Sequence, residues 1–217
     1  MNSSCMYELV LASESPRRRE LLTNAGFKFQ VHPSKISETL EENLTVDEQI
    51  LDIAVRKARA SVQSLDRTQG GSRLVIAADT MVVLDERPLG KPESAADAIA
   101  TLISLSGRTH LVKTSVCLLD ENSKIPKSWI ETTEVAFRSL SEREIQDYVK
   151  SGHPLDKAGS YGIQGGGGDF VDAVRGSYTN VVGLPMESLV GNLARWFGVT
   201  PTATPAPLPQ WALRRNP

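Results

Sequence analysis

The sequence predicts a mixed α/β fold, a sheet flanked by helices, and three observations carry that prediction. Short apolar runs rich in Val, Ile and Leu alternate with longer amphipathic stretches of helical period. Most helical stretches open on a Ser or Thr cap, two of them with a glutamate three residues later. Glycine, serine and proline cluster between the runs and punctuate them.

In order along the chain, Leu9-Val10-Leu11-Ala12 reads as a first strand. Ser15 caps the helix that follows, with Pro16 at its first position and Glu20-Leu21-Leu22 inside it. Lys28 to His32 is a second strand. Thr45 and Glu48 form a capping box for a helix to about Gln63, with Ile50, Ile53, Ala54 and Ala58 on one side. Gln69-Gly70-Gly71-Ser72 is a loop before a buried strand, Leu74 to Ala78, and Met81 to Leu84 continues in the same manner. Ser94 caps a helix to Leu105 that Ser106-Gly107 stops. Two longer β runs cover Leu111 to Leu119 and Ser128 to Arg138, and Ser141 with Glu144 boxes a helix ending at Ser151-Gly152. Asp156 to Gly168 is a glycine-rich functional loop or a set of irregular turns. Phe170 to Val174 and Asn180 to Val182 are expected as closing strands, and Pro185 to Phe197 as the last helix. Residues 1–198 form the expected folded domain. Prolines at 201, 205, 207 and 209 mark 199–217 as a disordered tail.

Composition narrows the function classes. Charged residues make up 23% and apolar residues 40% of 217, the balance of a soluble globular chain. A net charge of −2 gives no global basic field, so no nucleic-acid or membrane partner is expected. No run is long enough for a membrane span, and the N-terminus has no basic region followed by an apolar core, so a cytoplasmic location is expected. Two cysteines, Cys5 and Cys117, are too few for a disulfide scaffold, and Cys117 lies in an apolar run.

The chemistry-bearing residues fall in separated segments. Ser13-Glu14-Ser15-Pro16-Arg17-Arg18-Arg19 puts three cations in a first helical turn, where the helix dipole prefers acids. Hydroxyls, free backbone N–H groups and guanidinium forks there suit a phosphate, although a solvated basic helix face would look the same. Asp79 stands at the carboxyl end of an apolar strand, where ligands of open α/β sheets collect and where strands also simply end in turns. Lys91, set between Gly90 and Pro92, has its ammonium aimed by a rigid turn. Asp156-Lys157-Ala158-Gly159-Ser160-Tyr161-Gly162-Ile163-Gln164-Gly165 joins acid, base, phenol and amide with glycines that let backbone approach a ligand, and Gln164 can read a base edge. Carboxylates with scattered cations point to phosphoester chemistry with Mg²⁺ or Mn²⁺. No P-loop and no zinc motif is present, and His32, His110 and His153 have no evident catalytic partner in the sequence.

These segments resemble, in order, the signatures of the Maf nucleotide pyrophosphatases. The match comprises Leu11-Ala12-Ser13-Glu14-Ser15-Pro16-Arg17-Arg18-Arg19, Ala78-Asp79-Thr80, Leu89-Gly90-Lys91-Pro92, Leu105-Ser106-Gly107-Arg108-Thr109-His110, the Pro154–Gly165 loop and Asn180-Val181-Val182-Gly183-Leu184-Pro185. The resemblance covers about Leu9 to Phe197. It implies an inosine-triphosphatase-like fold with two lobes around a cleft, a homodimer, and metal-dependent hydrolysis of a nucleoside triphosphate to the monophosphate and pyrophosphate. It assigns Asp79 as proton acceptor, and Arg17, Thr80 and Gln164 to substrate choice. Ser13, Glu38, Lys57, Lys91 and Lys157 complete the implied site, with Asp79 and Glu38 as metal ligands and Lys91 beside them in catalysis. The Asp-Lys-Ala-Gly-x-Tyr-Gly-Ile-Gln-Gly form is similar to members acting on dTTP and UTP. Arg18 and Arg19 are expected to pair with acidic neighbours or solvent. The Gln164–Phe170 stretch, with glycine at 165–168, is richer in glycine than the usual pattern, Gly166 replaces a common apolar residue, and a more mobile loop is expected. The competing function classes are a nucleotide-binding regulator of cell division with little catalysis, and a phosphomonoesterase.

Overall fold

A computed structural model of the chain describes residues 7–39, 43–66 and 72–202. The elements run β1 (Tyr7–Leu11), α1 (Pro16–Asn24), β2 (Phe29–Val31), α2 (Val46–Ser64), β3 (Ser72–Leu84), β4 (Arg87–Leu89), α3 (Ala95–Leu105), β5 (Thr109–Asp120), β6 (Lys127–Phe137), α4 (Glu142–Lys150), β7 (Val171–Arg175), α5 (Tyr178–Val182) and α6 (Met186–Phe197). The strands form one mixed sheet in the order β2-β1-β3-β5-β6-β7, with β4 paired to β3. β1 is parallel to both β2 and β3, whereas β3–β4 and β6–β7 are antiparallel. The described residues divide into two compact units. One contains the chain up to Asp79, Thr114–Glu131 and the segment from Gly183 onward, and the other contains Thr80–Lys113 and Thr132–Val182.

The first unit has helices on both faces of its sheet, and the buried stretches of β1 and β3 are apolar on both sides, as parallel pairing favours. Leu9, Leu11, Leu74, Ile76, Ala78, Val116 and Leu118 pack with Leu22 of α1 and with Met186, Leu189 and Leu193 of α6. The alternate residues Val10, Ala12, Val75, Ala77, Cys117 and Leu119 take Ala54 and Ala58 of α2. Burial pushes the Cys117 thiol up to about 12, so it serves as a small core hydrophobe. Both predicted capping boxes are present, Thr45 with Glu48 on α2 and Ser141 with Glu144 on α4. In the second unit, α3 packs against α4, and His110, Phe137, Tyr148, Tyr161 and Phe170 form an edge-to-face aromatic cluster.

Three expectations change. β3 does not end at Asp79. Its parallel pairing with β1 stops at Leu11↔Ile76, but β4 pairs from Val82↔Leu89, and the strand runs through to Leu84. Asn180 to Val182 is helical, not a closing strand. Ser177 Oγ accepts the Asn180 N–H at 3.0 Å, and the Asn180 amide donates to the Val112 carbonyl and Thr133 Oγ1 at 2.9 Å each, so this segment is anchored by a cap and a side chain instead of a ladder. At the end of the chain, Val199 is buried in the first core and Thr202 donates to the Gly26 carbonyl from its N–H and its hydroxyl. Most of the predicted tail, 203–217, and the predicted loop at 69–71 lie outside the described residues, as does Cys5.

Candidate active site

In the first unit, α1, α2 and β3 bring four charged groups and a serine together. Alternation along β3 sends Val75 and Ala77 toward α2, and Asp79 continues on that side. There the Lys57 ammonium, carried by α2, lies 2.7 Å from Asp79 Oδ1 and 2.7 Å from Glu38 Oε1. Lys57 is 7% exposed and Asp79 8%, while Glu38 is exposed. Lys57 thus bridges a buried and an exposed carboxylate, and removing it would leave the buried Asp79 without its ion-pair partner. Two carboxylates close enough to share one ammonium are also spaced to share one small divalent cation, and their hard oxygens suit Mg²⁺ or Mn²⁺. Among the described residues no three His, Cys, Asp or Glu side chains gather as a metal cage. A cation here would therefore complete its shell with water and phosphate oxygens.

The arginine cluster separates in a way the sequence did not disclose. Arg19 is exposed and Arg17 is half-buried, but Arg18 is buried, so of the two partners expected for it solvent is excluded. Its Nε donates to the Gly183 carbonyl at 2.7 Å. Its Nη1 donates to the Ala78 carbonyl at 2.8 Å and to Ser13 Oγ at 3.3 Å. Burial lowers its pKa, and the Asp79 carboxylate is the largest influence holding it charged. One guanidinium thus joins three motifs that are far apart in sequence: the Ser13 loop, the residue before Asp79, and the Gly183 turn. Ser13 Oγ also accepts the Ser15 N–H at 3.2 Å, which fixes the loop ahead of α1. The signal in the sequence is helical spacing, because Arg18 lies four residues before Leu22, which is fully buried, and so shares its face.

The second unit holds the remaining predicted residues. Thr80 follows Asp79 directly and is half-buried. The Gly159 N–H donates to the Gly90 carbonyl at 3.0 Å, docking the 157–164 loop on the turn that carries Lys91. Gly159 has φ +68, and a Cβ there would lie 2.7 Å from the Val82 side chain, so only glycine fits. The Lys157 ammonium turns back to Asp156 Oδ1 and the His153 carbonyl. Its stem lies over Gly162, where a Cβ would come within 2.9 Å of it. Tyr161 and Ile163 are buried, whereas Gln164 is half-buried and Gly165 and Gly166 are exposed. The glycine run is tighter than its composition suggests. Gly167 and Gly168 are buried, and Cβ atoms there would lie 2.6 Å from the Gly162 and Ile163 carbonyls respectively. These two glycines allow the loop to fold back on itself, whereas a Cβ would face open space at Gly165 and the Tyr148 ring at 3.4 Å at Gly166.

Fold and charged groups together define an α/β protein with an acid–lysine–acid centre. The chain belongs to the family of Maf-like proteins, whose model matches residues 8–196. It is 49% identical to the dTTP/UTP pyrophosphatase of Bdellovibrio bacteriovorus over 87% of this chain and 98% of that one. It is 44% identical to the protein of the same name from Bacillus pumilus, over 90% of this chain and all of that one. The same name and identity hold for Desulforamulus reducens, over 89% and 98%. Among solved structures, a HAM1 protein from Coxiella burnetii aligns with 61% of this chain and 73% of its own at a TM-score of 0.40 and 22% identity. Among the described residues no helix is long and apolar enough to cross a membrane.

Proposed function

We propose that this protein hydrolyses pyrimidine nucleoside triphosphates, dTTP and UTP first, to the monophosphate and pyrophosphate. The observation that carries the reading is the Glu38–Lys57–Asp79 group, set where β1 ceases to pair with β3, in a chain that spans almost the full length of relatives named for this reaction. Water attacks the α-phosphorus, the bond to the α–β bridging oxygen breaks, and pyrophosphate leaves with the electron pair. Asp79 takes the proton of the attacking water, and its contact with Lys57 fixes which carboxylate oxygen faces the substrate. Asp79 and Glu38 would hold Mg²⁺ or Mn²⁺, which when bound supplies Lewis-acid polarisation of phosphate oxygens. Lys57 then balances charge that grows on the leaving pyrophosphate, helped by Arg17, Lys91 and Lys157. Ser13 presents its hydroxyl from the loop that Arg18 holds. Thr80 and Gln164 select the nucleotide, with the Gln164 amide donating to and accepting from a pyrimidine edge. We place the protein in the cytoplasm as a homodimer on the strength of the family resemblance.

The test is product analysis with purified protein and dTTP, UTP, CTP or 7-methyl-GTP, with and without Mn²⁺. Pyrophosphate and monophosphate in equal amounts from dTTP and UTP support the reading. Orthophosphate as first product supports a phosphomonoesterase. Nucleotide binding without product supports a regulator.

A further inference from the structure

His110 has no role in the chemistry above, yet it is 2% exposed and its ring Nε2 lies 2.7 Å from the hydroxyl of Tyr161. Tyr161 lies within the loop that carries Lys157 and Gln164. The His110 ring stands edge-on to Phe137, with centroids 4.9 Å apart, and Phe137 stands edge-on to Tyr161 at 4.7 Å. The next loop residue is gripped independently: the Gly162 N–H donates to the Tyr148 hydroxyl at 3.2 Å. Tyr148 packs edge-on to Phe170 at 4.9 Å, and Phe170 packs on Phe137. Two ring-borne groups from one aromatic cluster therefore hold consecutive loop residues, with only Ile163 between them and the half-buried Gln164.

The loop needs that hold. Ser160, which precedes Tyr161, has φ +58 and is fully buried, a conformation that a non-glycine residue keeps only when its surroundings impose it. Its Oγ has no partner among the described residues, and neither has His110 Nδ1, so the pair at Tyr161 is the polar tie that this buried corner makes. An isolated buried bond of this kind is stronger than its exposed counterpart and costly to leave half made.

Resting on the pyrimidine-hydrolase reading, we propose that His110 is a positioning residue for nucleotide choice: through its bond to Tyr161 it fixes the 161–163 segment and with it the amide of Gln164. His110 touches no substrate in this account. It acts through the loop, so its loss relaxes discrimination between bases more than it slows bond breaking.

The experiment compares His110→Phe, Tyr161→Phe and the double variant with wild type, in steady-state pyrophosphate release from dTTP, UTP and CTP at a temperature where circular dichroism shows all four folded. Loss of one hydrogen bond should raise KM for dTTP about tenfold, with kcat within about twofold. The preference for dTTP over CTP should narrow by a similar factor. Because both variants break the same tie, the double variant should be no worse than either single. His110→Gln, which returns a polar nitrogen near the Nε2 position, should recover part of the preference. Hydrogen exchange should rise in 157–168 of Tyr161→Phe, a variant that removes only the hydroxyl. An unchanged dTTP/CTP preference, a fall in kcat with KM unmoved, or additive losses in the double variant would overturn the assignment. Wild-type protein that releases no pyrophosphate from any of the three nucleotides would instead overturn the hydrolase reading beneath it. The exchange measurement stands apart from catalysis, and unchanged protection of 157–168 would remove the clamp by itself.

Discussion

Replacing Arg18 with methionine should cost both stability and activity, and the structure sets the size. The guanidinium donates to two buried carbonyls, Gly183 at 2.7 Å and Ala78 at 2.8 Å, and to Ser13 Oγ at 3.3 Å. Hydrogen bonds to a charged group contribute about 1.5–3 kcal/mol each, and a buried carbonyl left bare costs about 1–3 kcal/mol. Against this, methionine fills much of the space and relieves the burial of a charge that already lowers the Arg18 pKa. The net expectation is a loss of about 3 kcal/mol, which for a chain of this length lowers Tm by roughly 6–12 °C. Arg18→Lys keeps the charge but not the planar fork, so it should recover only part of the loss. The assay is thermal and urea unfolding of the three proteins with pyrophosphate release measured in parallel. Activity should fall with stability retained at low temperature, because Ala78 is the residue before Asp79. A methionine variant within about 0.5 kcal/mol of wild type, the range of an ordinary surface change, would refute the clamp.

Four further outcomes follow from other contacts in the structure. Lys57→Met strands the Asp79 carboxylate in a buried setting; unfolding should show a loss of about 3 kcal/mol or somewhat less, because Glu38 is exposed, and dTTP turnover should fall at least about a hundredfold. Gly166→Ala meets only the Tyr148 ring at 3.4 Å and should be neutral or stabilising by about 0.4–1 kcal/mol. Gly168→Ala drives a Cβ to 2.6 Å from the Ile163 carbonyl and should cost about 1–3 kcal/mol in urea unfolding. Burial lowers the His110 pKa from 6.5 to about 4, so in that window the unfolded chain binds the extra proton. Stability should therefore be complete above pH 6.5 and fall toward pH 4 by up to about 1.4 kcal/mol per unit. His110→Phe should flatten that slope, as read by urea midpoints across the window.

Much of the fold was legible because local rules and burial agreed. The capping boxes at Thr45 and Ser141 marked helix starts without any tertiary information, and the unbroken apolar runs at Leu9 and Leu74 belong to strands buried on both faces. The failures have a common origin in partners distant along the chain. Asp79 looked like a strand end because a carboxylate interrupts an apolar run, but the later strand β4 keeps β3 going. Asn180 to Val182 has β-branched residues that favour a strand, yet the Ser177 cap and the Asn180 amide override them. Arg18 was indistinguishable from Arg17 and Arg19 until its carbonyl partners, 60 and 165 residues away, were in place. For the site, the motif residues fall into two sets by geometry. Ser13, Glu38, Lys57 and Asp79 are linked in the first unit through Arg18 and the lysine bridge, while the Lys91 turn and the Lys157–Gln164 loop are joined in the second. The close backbone packing at Gly167 and Gly168 was not legible because composition cannot distinguish a flexible run from one that permits such packing.

In the proposed reaction Asp79, held by Lys57, accepts the proton when the α–β phosphoanhydride is cleaved. The most direct test of that role is pyrophosphate release from dTTP by wild type and by Asp79→Asn, with folding of both checked by circular dichroism. Wild type should yield equimolar dTMP and pyrophosphate, and a folded Asp79→Asn protein a rate lower by about a hundredfold or more, on the order seen for loss of one catalytic group. Asp79→Asn protein that releases pyrophosphate at the wild-type rate would contradict that role.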